Sequence, residues 1–279
     1  MNQLKDEKKL AVLSGLVEGN SVLSVSRMTG VHKTTILSFL GRIGKGCEQL
    51  LDERMRNLEC RSLQVDEIWC FVGKKQSHLT KEEKRNRRDL GDQYVFVALD
   101  AETKLVPLFE IGKRDKETTL RFMFDLEKRL TNHVQLTTDA FTPYPEAIDE
   151  AFGRDIDYAQ LHKSFAGNGE RRYSPPSIVA VFHLIMQGHP QRKYISTSHV
   201  ERQNLTMRMQ MRRFTRLTNG FSKKLDNLRY AVALHFAYYN FCRIHKTLRC
   251  TPAMKAGVTQ RLWGLKDLLV WEEEYSKQN

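Results

Sequence analysis

The chain has 279 residues, and its 45 Lys+Arg against 33 Asp+Glu leave a formal charge of +12. That length allows one large domain or two modest ones, and a hydrophobic content of 41% with 14 Phe, 9 Tyr and 3 Trp fills a core of that size, so general disorder is excluded. No stretch reaches the ~20 apolar residues of a membrane helix, and the start, MNQLKDEKKL, lacks an apolar signal core. A soluble, intracellular protein without a membrane partner is expected, and the basic excess predicts a polyanion, nucleic acid first, as its ligand.

The first forty residues read as helices. Leu10, Val12, Leu13, Leu16 and Val17 recur at helical spacing, and Glu18-Gly19-Asn20-Ser21 supplies a stop followed by a cap. A second helix fits Val22–Met28, Thr29-Gly30-Val31 forms a tight turn, and a third helix starts near Lys33 with Ile36, Leu37 and Leu40 as its apolar stripe. This is the plan of a helix-turn-helix, whose second motif helix enters the major groove. His32, Lys33, Thr34 and Thr35 then sit at its leading end, and Lys33, Thr34 and Thr35 are the expected DNA contacts. An all-α unit over 1–45 is followed by a linker helix over 46–62, with the glycine-rich GRIGKG at the boundary.

From Leu63 the pattern changes to strands. LQVDEIWCFVG alternates, with Val65, Glu67, Trp69 and Phe71 on one side and Asp66, Ile68, Cys70 and Val72 on the other. KKQSHLTKEEKRNRRDLGDQ reads as a long solvated loop, and YVFVALD with KLVPLFEIG as a hairpin. Glu117–Leu130 is an amphipathic helix capped by Asp115, HVQLTTDAF a strand, YPEAIDEAF a helix, and Tyr158–Leu161 a short strand. After the Gly/Ser/Pro-rich FAGNGERRYSPPS, SHVERQNLTMRMQMRRFTRL reads as one long basic helix and LDNLRYAVALHFAYYNFCR as another. The element order matches an α/β, ribonuclease-H-like mixed sheet with flanking helices over 63–258, preceded by the helix-turn-helix and followed by a tail over 259–279.

Three acids stand out by position. Asp66 lies inside the first strand, Asp139 ends the fourth, and Glu201 lies on the basic helix with Asn204 and Arg208 on about the same face. Converging carboxylates repel one another unless cations are bound, and hard ions, Mg²⁺ or Mn²⁺, suit such a set. Two ions about 4 Å apart activate a water or 3′-hydroxyl in phosphoryl transfer. Asp155, Asp157 and Glu170 are alternatives for the third acid. The five cysteines, Cys47, Cys60, Cys70, Cys242 and Cys250, contain no C-x-x-C pair, so neither a zinc ribbon nor a disulfide framework is expected.

VDEIWCFVGKK, TTDAFTPYP, TSHVERQNLTMRMQMRRFTRLTNGFSKK and YYNFCRIHKTLRCTPAMKAGV together resemble the DDE-type transposases of the insertion-sequence-one family and its close relatives. The resemblance runs from about Leu63 to Val258. It implies Asp66, Asp139 and Glu201 as the catalytic, metal-binding triad, two Mg²⁺, and cleavage at transposon ends followed by strand transfer. It also implies a homo-oligomer on double-stranded DNA, both transposon ends and target, in a cytoplasmic, nucleoid-associated setting. Relatives usually carry an N-terminal zinc-ligand cysteine cluster, which this chain lacks. Arg202, Arg208, Arg212, Arg213 and Arg216 suit contacts to the DNA backbone, and Asn204 suits either orienting a ligand or contacting DNA. His199 reads as a structural histidine, and Tyr238, Tyr239, Asn240, Arg243 and His245 as a packing cluster. A helix-turn-helix regulator, or a host-adopted nuclease or recombinase of the same fold, is the competing reading.

Overall fold

The computed structural model describes residues 4–165, 178–215 and 218–278. Three helices open the chain: α1 (Asp6–Val17), α2 (Val22–Thr29) and α3 (Lys33–Arg54). Ser21 caps α2 by accepting from the Ser24 N–H at 3.0 Å. Gly30 ends α2 at φ 68°, a conformation that a side chain disfavours. His32 caps α3, its Nδ1 accepting from the Thr34 N–H at 3.4 Å. The first two helices pack closely because Gly15 has no side chain: a Cβ there would lie 2.9 Å from Val25 Cγ2.

The glycine-rich run is a packing face rather than a break. α3 passes through GRIGKG unbroken to Arg54. A Cβ on Gly44 would lie 2.3 Å from Tyr230 Cβ, and one on Gly46 would lie 3.2 Å from Glu272 Cα. Those neighbours belong to α8 (Leu225–Ala237) and α10 (Leu265–Gln278), which lie against α3. The Trp271 indole N–H also donates to Gly46 O at 3.0 Å.

The sheet is mixed and six-stranded: β1 (Ser62–Val72), β2 (Gly91–Asp100), β3 (Leu108–Gly112), β4 (Val134–Thr138), β5 (Ile156–Phe165) and β6 (Ile178–Gln187), in spatial order β3-β2-β1-β4-β5-β6. β1, β2 and β3 pair antiparallel, β4 joins β1 and β5 joins β4 in parallel, and β6 returns antiparallel on β5. Helices flank it, so the mixed α/β class is as expected. On one face, Phe96 of β2 meets Phe122 of α5 (Lys116–Glu127), with ring centres 5.8 Å apart. On the other, Phe109 of β3 stacks on Phe236 of α8 at 5.3 Å. Asp115 caps α5 through the Thr118 N–H at 3.0 Å, as its position suggested.

Three local readings are corrected. The stretch read as a solvated loop contains α4 (Lys81–Asn86), held by a capping box between Thr80 and Glu83. The strand read as Tyr158–Leu161 extends over Ile156–Phe165, because pairing on both edges lengthens it. The basic helix, α7 (Ser198–Gln210), stops short: the chain is extended at Met211, and a Cβ on Gly19 would lie 2.9 Å from Gln210 O. That end abuts the turn between α1 and α2, a tertiary contact that no Gly or Pro in α7 announces. α6 (Tyr144–Phe152) and α9 (Pro252–Lys255) complete the helices. After α8 the wide turn Tyr238–Cys242 is pinned by Asn240, which donates to Val106 O at 2.9 Å and accepts from its N–H at 3.1 Å.

Candidate metal and active site

The parallel ladder between β1 and β4 runs only from Ser62↔Gln135 to Gln64↔Thr137. Past that point the two strands part, and the acids stand at the opening. Asp66 lies two residues beyond the last pair, and Asp139 one residue beyond the end of β4. Asp139 Oδ1 accepts from the Phe141 N–H at 2.9 Å, which fixes the turn into α6. Carboxylate oxygens of Asp66, Glu67 and Asp139 all lie within 4.8 Å of one another.

Glu67 was not among the residues singled out from the sequence. Strand alternation sends it to the α5–α6 face, opposite Asp66, and the register confirms this: Glu67 stands across from Phe96, Asp66 from Val97. Its longer side chain nevertheless reaches the opening where β4 has ended. There the Tyr144 hydroxyl donates to Glu67, and Arg114 lies 3.3 Å from Glu67 and 3.5 Å from Asp139. Arg114 is itself seated on the Phe141 ring at 3.9 Å. The adjacent Asp-Glu pair was the available signal.

Burial pushes the Asp66 carboxyl up to about 6, and the neighbouring Asp139 adds to it while the Asn204 hydrogen bond opposes. Burial likewise pushes Glu67 up to about 7, again with Asp139 adding and with Tyr144 and Arg114 opposing. Both acids therefore resist carrying charge without a counter-cation. The donor set suits a hard divalent ion: carboxylate oxygens from three acids converge, and Asn204 Oδ1 is buried without a hydrogen bond.

α7 crosses β1 on the Asp66 face and is fastened at two points. Gln64 Oε1 accepts from the backbone N–H groups of His199 at 2.9 Å and Val200 at 3.1 Å. Asn204 Nδ2 donates to Asp66 Oδ2 at 2.9 Å. Two residues of strand rise about 6.6 Å and four to five of helix about 6 to 7.5 Å, so the spacings match. Glu201 lies between these fastenings on α7, and its carboxylate accepts from Lys163 and from the Thr197 hydroxyl. It adds to the upward push on Asp66 but stands outside the close group of Asp66, Glu67 and Asp139.

Asp155 and Asp157 engage His133 at 2.7 and 3.3 Å, at the opposite end of the sheet from the acids. Glu170 and Arg216 lie outside the described residues. Lys33, Thr34 and Thr35 are exposed on the first turn of α3, and Arg202 and Arg212 are exposed on and after α7. Arg208 is half-buried, and Arg213 donates inward to Ser222 at 2.7 Å, burial lowering it to about 10. His199 is held below its ordinary value by burial, with Lys104 and His245 adding.

No protein-family model matches the chain, and no curated protein does. Among solved structures it is similar to a Mos1 transposase paired-end complex with the left transposon end, at 14% identity over 57% of this chain and 59% of that one, TM-score 0.25. It is similar to a piggyBac transposase synaptic complex with hairpin DNA at 8% identity, over 99% and 74%, TM-score 0.41. It is also similar to the Mos1 strand transfer complex at 13% identity, over 84% and 75%, TM-score 0.25. The chain thus spans about three fifths of the Mos1 chain in the first of these. Among the described residues, no helix is long and apolar enough to cross a membrane.

Proposed function

We propose that the chain is a metal-dependent DNA transposase of the DDE type, related to the insertion-sequence-one family, with a ribonuclease-H-like catalytic fold. One observation carries the reading: Asp66 and Asp139 converge where β1 and β4 part, beneath the helix that bears Glu201. Asp66, Asp139 and Glu201 are the residues that would hold Mg²⁺ or Mn²⁺, two ions in number. What such a pair supplies is activation of a water or 3′-hydroxyl and stabilisation of the leaving oxygen in phosphoryl transfer.

The chain's own groups do the rest. Asn204 holds the Asp66 carboxylate in place, and Lys163 and Thr197 fix the Glu201 side chain on the helix that crosses above it. Arg114 orients Asp139 and offsets its charge against Glu67. Arg202 and Arg212 suit backbone phosphates near the site, and Lys33, Thr34 and Thr35 suit recognition of the element's ends by a helix-turn-helix of α2 and α3. The expected partners are transposon-end and target DNA, bound by more than one copy of the chain in the nucleoid.

The test is a cleavage assay on a DNA fragment carrying the gene's own flanks, with Mg²⁺ or Mn²⁺ and the ends mapped by sequencing. Cuts at the element boundaries are expected from the wild type. Asp66→Asn, Asp139→Asn and Glu201→Gln should each lose them while binding DNA normally. Full cleavage by the Glu201→Gln protein would remove Glu201 from the triad, and saturable binding without cutting under any divalent ion would favour a regulator.

A further inference from the structure

Asp139 belongs to neither β4 nor α6, yet both of its oxygens have fixed partners. Oδ1 accepts from the Phe141 N–H at 2.9 Å, and Arg114 Nη2 stands 3.5 Å from Oδ2. Arg114 is held in turn: its Nε donates to Glu67 Oε2 at 3.3 Å, and its guanidinium lies over the Phe141 ring. The other Glu67 oxygen, Oε1, accepts from the Tyr144 hydroxyl. Tyr144 is fully buried, and its ring meets that of Phe141 edge-on at 5.5 Å. The contacts therefore close on themselves, from Asp139 through Arg114, Glu67, Tyr144 and Phe141 back to Asp139.

The carboxylate oxygens of Asp66, Glu67 and Asp139 lie close enough for all three acids to share an ion, so two roles are open to Glu67, ligand or support. Exposure and partners separate them. The Glu67 side chain is 3% exposed, and that of Asp139 is 40% exposed. An ion arriving from solvent meets Asp139, whereas Glu67 stands behind it with Arg114 on one oxygen and Tyr144 on the other.

We propose that Glu67 is a positioning residue: acting through Arg114, it fixes the rotamer of Asp139 so that this carboxylate presents itself to the ion beside Asp66, and it is not itself a ligand. Stability alone gives little reason to bury such a pair, because apolar side chains of the same volume serve as well or better. Placement gives a reason. Groups that hold a metal ligand from behind commonly govern affinity for the ion nearly as strongly as the ligand does. The inference rests on the metal site proposed above and adds to it a support drawn from the acid next to Asp66, the arginine ahead of α5 and the turn into α6.

Mn²⁺ binding to the full chain without DNA, followed by the paramagnetic resonance signal of the free ion, tests it. Glu67→Gln should weaken binding about tenfold, the low end for a group that supports a ligand. Tyr144→Phe alters no charge and keeps the ring, so its effect reports the lost hydroxyl alone, and it should also weaken binding. The double variant should bind no more weakly than Glu67→Gln, since Tyr144 acts only through Glu67. Far-UV circular dichroism should be unchanged throughout, and Tyr144→Phe carries the test if Glu67→Gln does not fold. Excess Mn²⁺ should restore DNA cleavage to both single variants and not to Asp139→Asn. A Tyr144→Phe protein that binds Mn²⁺ as well as the wild type, or better, overturns the proposal, and better binding would make Glu67 a ligand that Tyr144 restrains. Lost affinity in Asp139→Asn beside full affinity in Glu67→Gln overturns it and leaves the metal site standing. A wild type that binds no Mn²⁺ removes the metal site, and this inference with it.

Discussion

Asn204 on α7 donates to the Asp66 carboxylate on β1 at 2.9 Å, and the same helix is anchored to the same strand by Gln64. Gln64, 1% exposed, sits two residues before Asp66 and on the same face. The two fastenings fix both where α7 crosses the sheet and how far it has slid along it, which sets the place of Glu201 relative to Asp66.

Replacing Gln64 by Leu leaves the His199 and Val200 N–H groups without that acceptor. Each unmade buried hydrogen bond costs about 1 to 3 kcal/mol, so urea unfolding should show a loss in that range or somewhat more. Gln64→Glu keeps an acceptor oxygen at the start of a helix, where negative charge is favoured, and should recover part of the loss. Equal losses for Leu and Glu would show that burial of the amide, rather than its bonds to α7, is what counts.

The raised acids predict a pH dependence with a definite sign. Asp66 and Glu67 move from ordinary values of 3.8 and 4.5 to about 6 and 7 in the fold. The folded protein therefore keeps protons that the unfolded chain has already lost. Their contribution to stability is fully present below about pH 4 and is lost as pH rises through 6 to 7. A shift of about two units corresponds to roughly 3 kcal/mol for Asp66 alone. With chelator present, thermal unfolding of the wild type should lose stability between pH 4 and 7 relative to Asp66→Asn. Mg²⁺ or Mn²⁺ should restore it near pH 7 in the wild type and restore less in the variant. Parallel pH profiles for the two proteins would refute the upward shift of the Asp66 carboxyl in the fold.

Much of this was legible beforehand, and the exceptions have a common cause. Alternation in LQVDEIWCFVG placed Asp66 and Glu67 on opposite faces correctly, and Asp115, Ser21 and Gly30 marked their helix ends through local chemistry. Periodicity says nothing of where two paired strands separate. Glu67 reaches Asp139 only because the β1–β4 ladder ends at Gln64↔Thr137, a fact of tertiary pairing. The end of α7 at Gln210, which abuts the turn at Gly19, likewise lies at a tertiary contact that no residue of the helix announces. GRIGKG misled in the opposite direction, because glycine marks a break by local propensity and a close approach by packing, and the two look alike in one dimension.

That ambiguity can be resolved residue by residue along α3. A methyl group at Gly44 would meet Tyr230 Cβ at 2.3 Å and its Cα at 2.6 Å, so the obstacle includes backbone and no rotamer change relieves it. Gly44→Ala should force α3 and α8 apart and destabilise the fold by about 1 to 3 kcal/mol. At Gly41 the nearest atom is Tyr230 Cε2 at 3.9 Å, ordinary contact distance. Gly41→Ala exchanges a poor helix former for the best one and should stabilise by about 0.5 to 1 kcal/mol. Chemical denaturation of the two variants beside the wild type therefore has opposite expected signs. Destabilisation by both would mean that α3 needs flexibility along its whole glycine run, whereas stabilisation by both would place α8 farther from α3 than the structure has it.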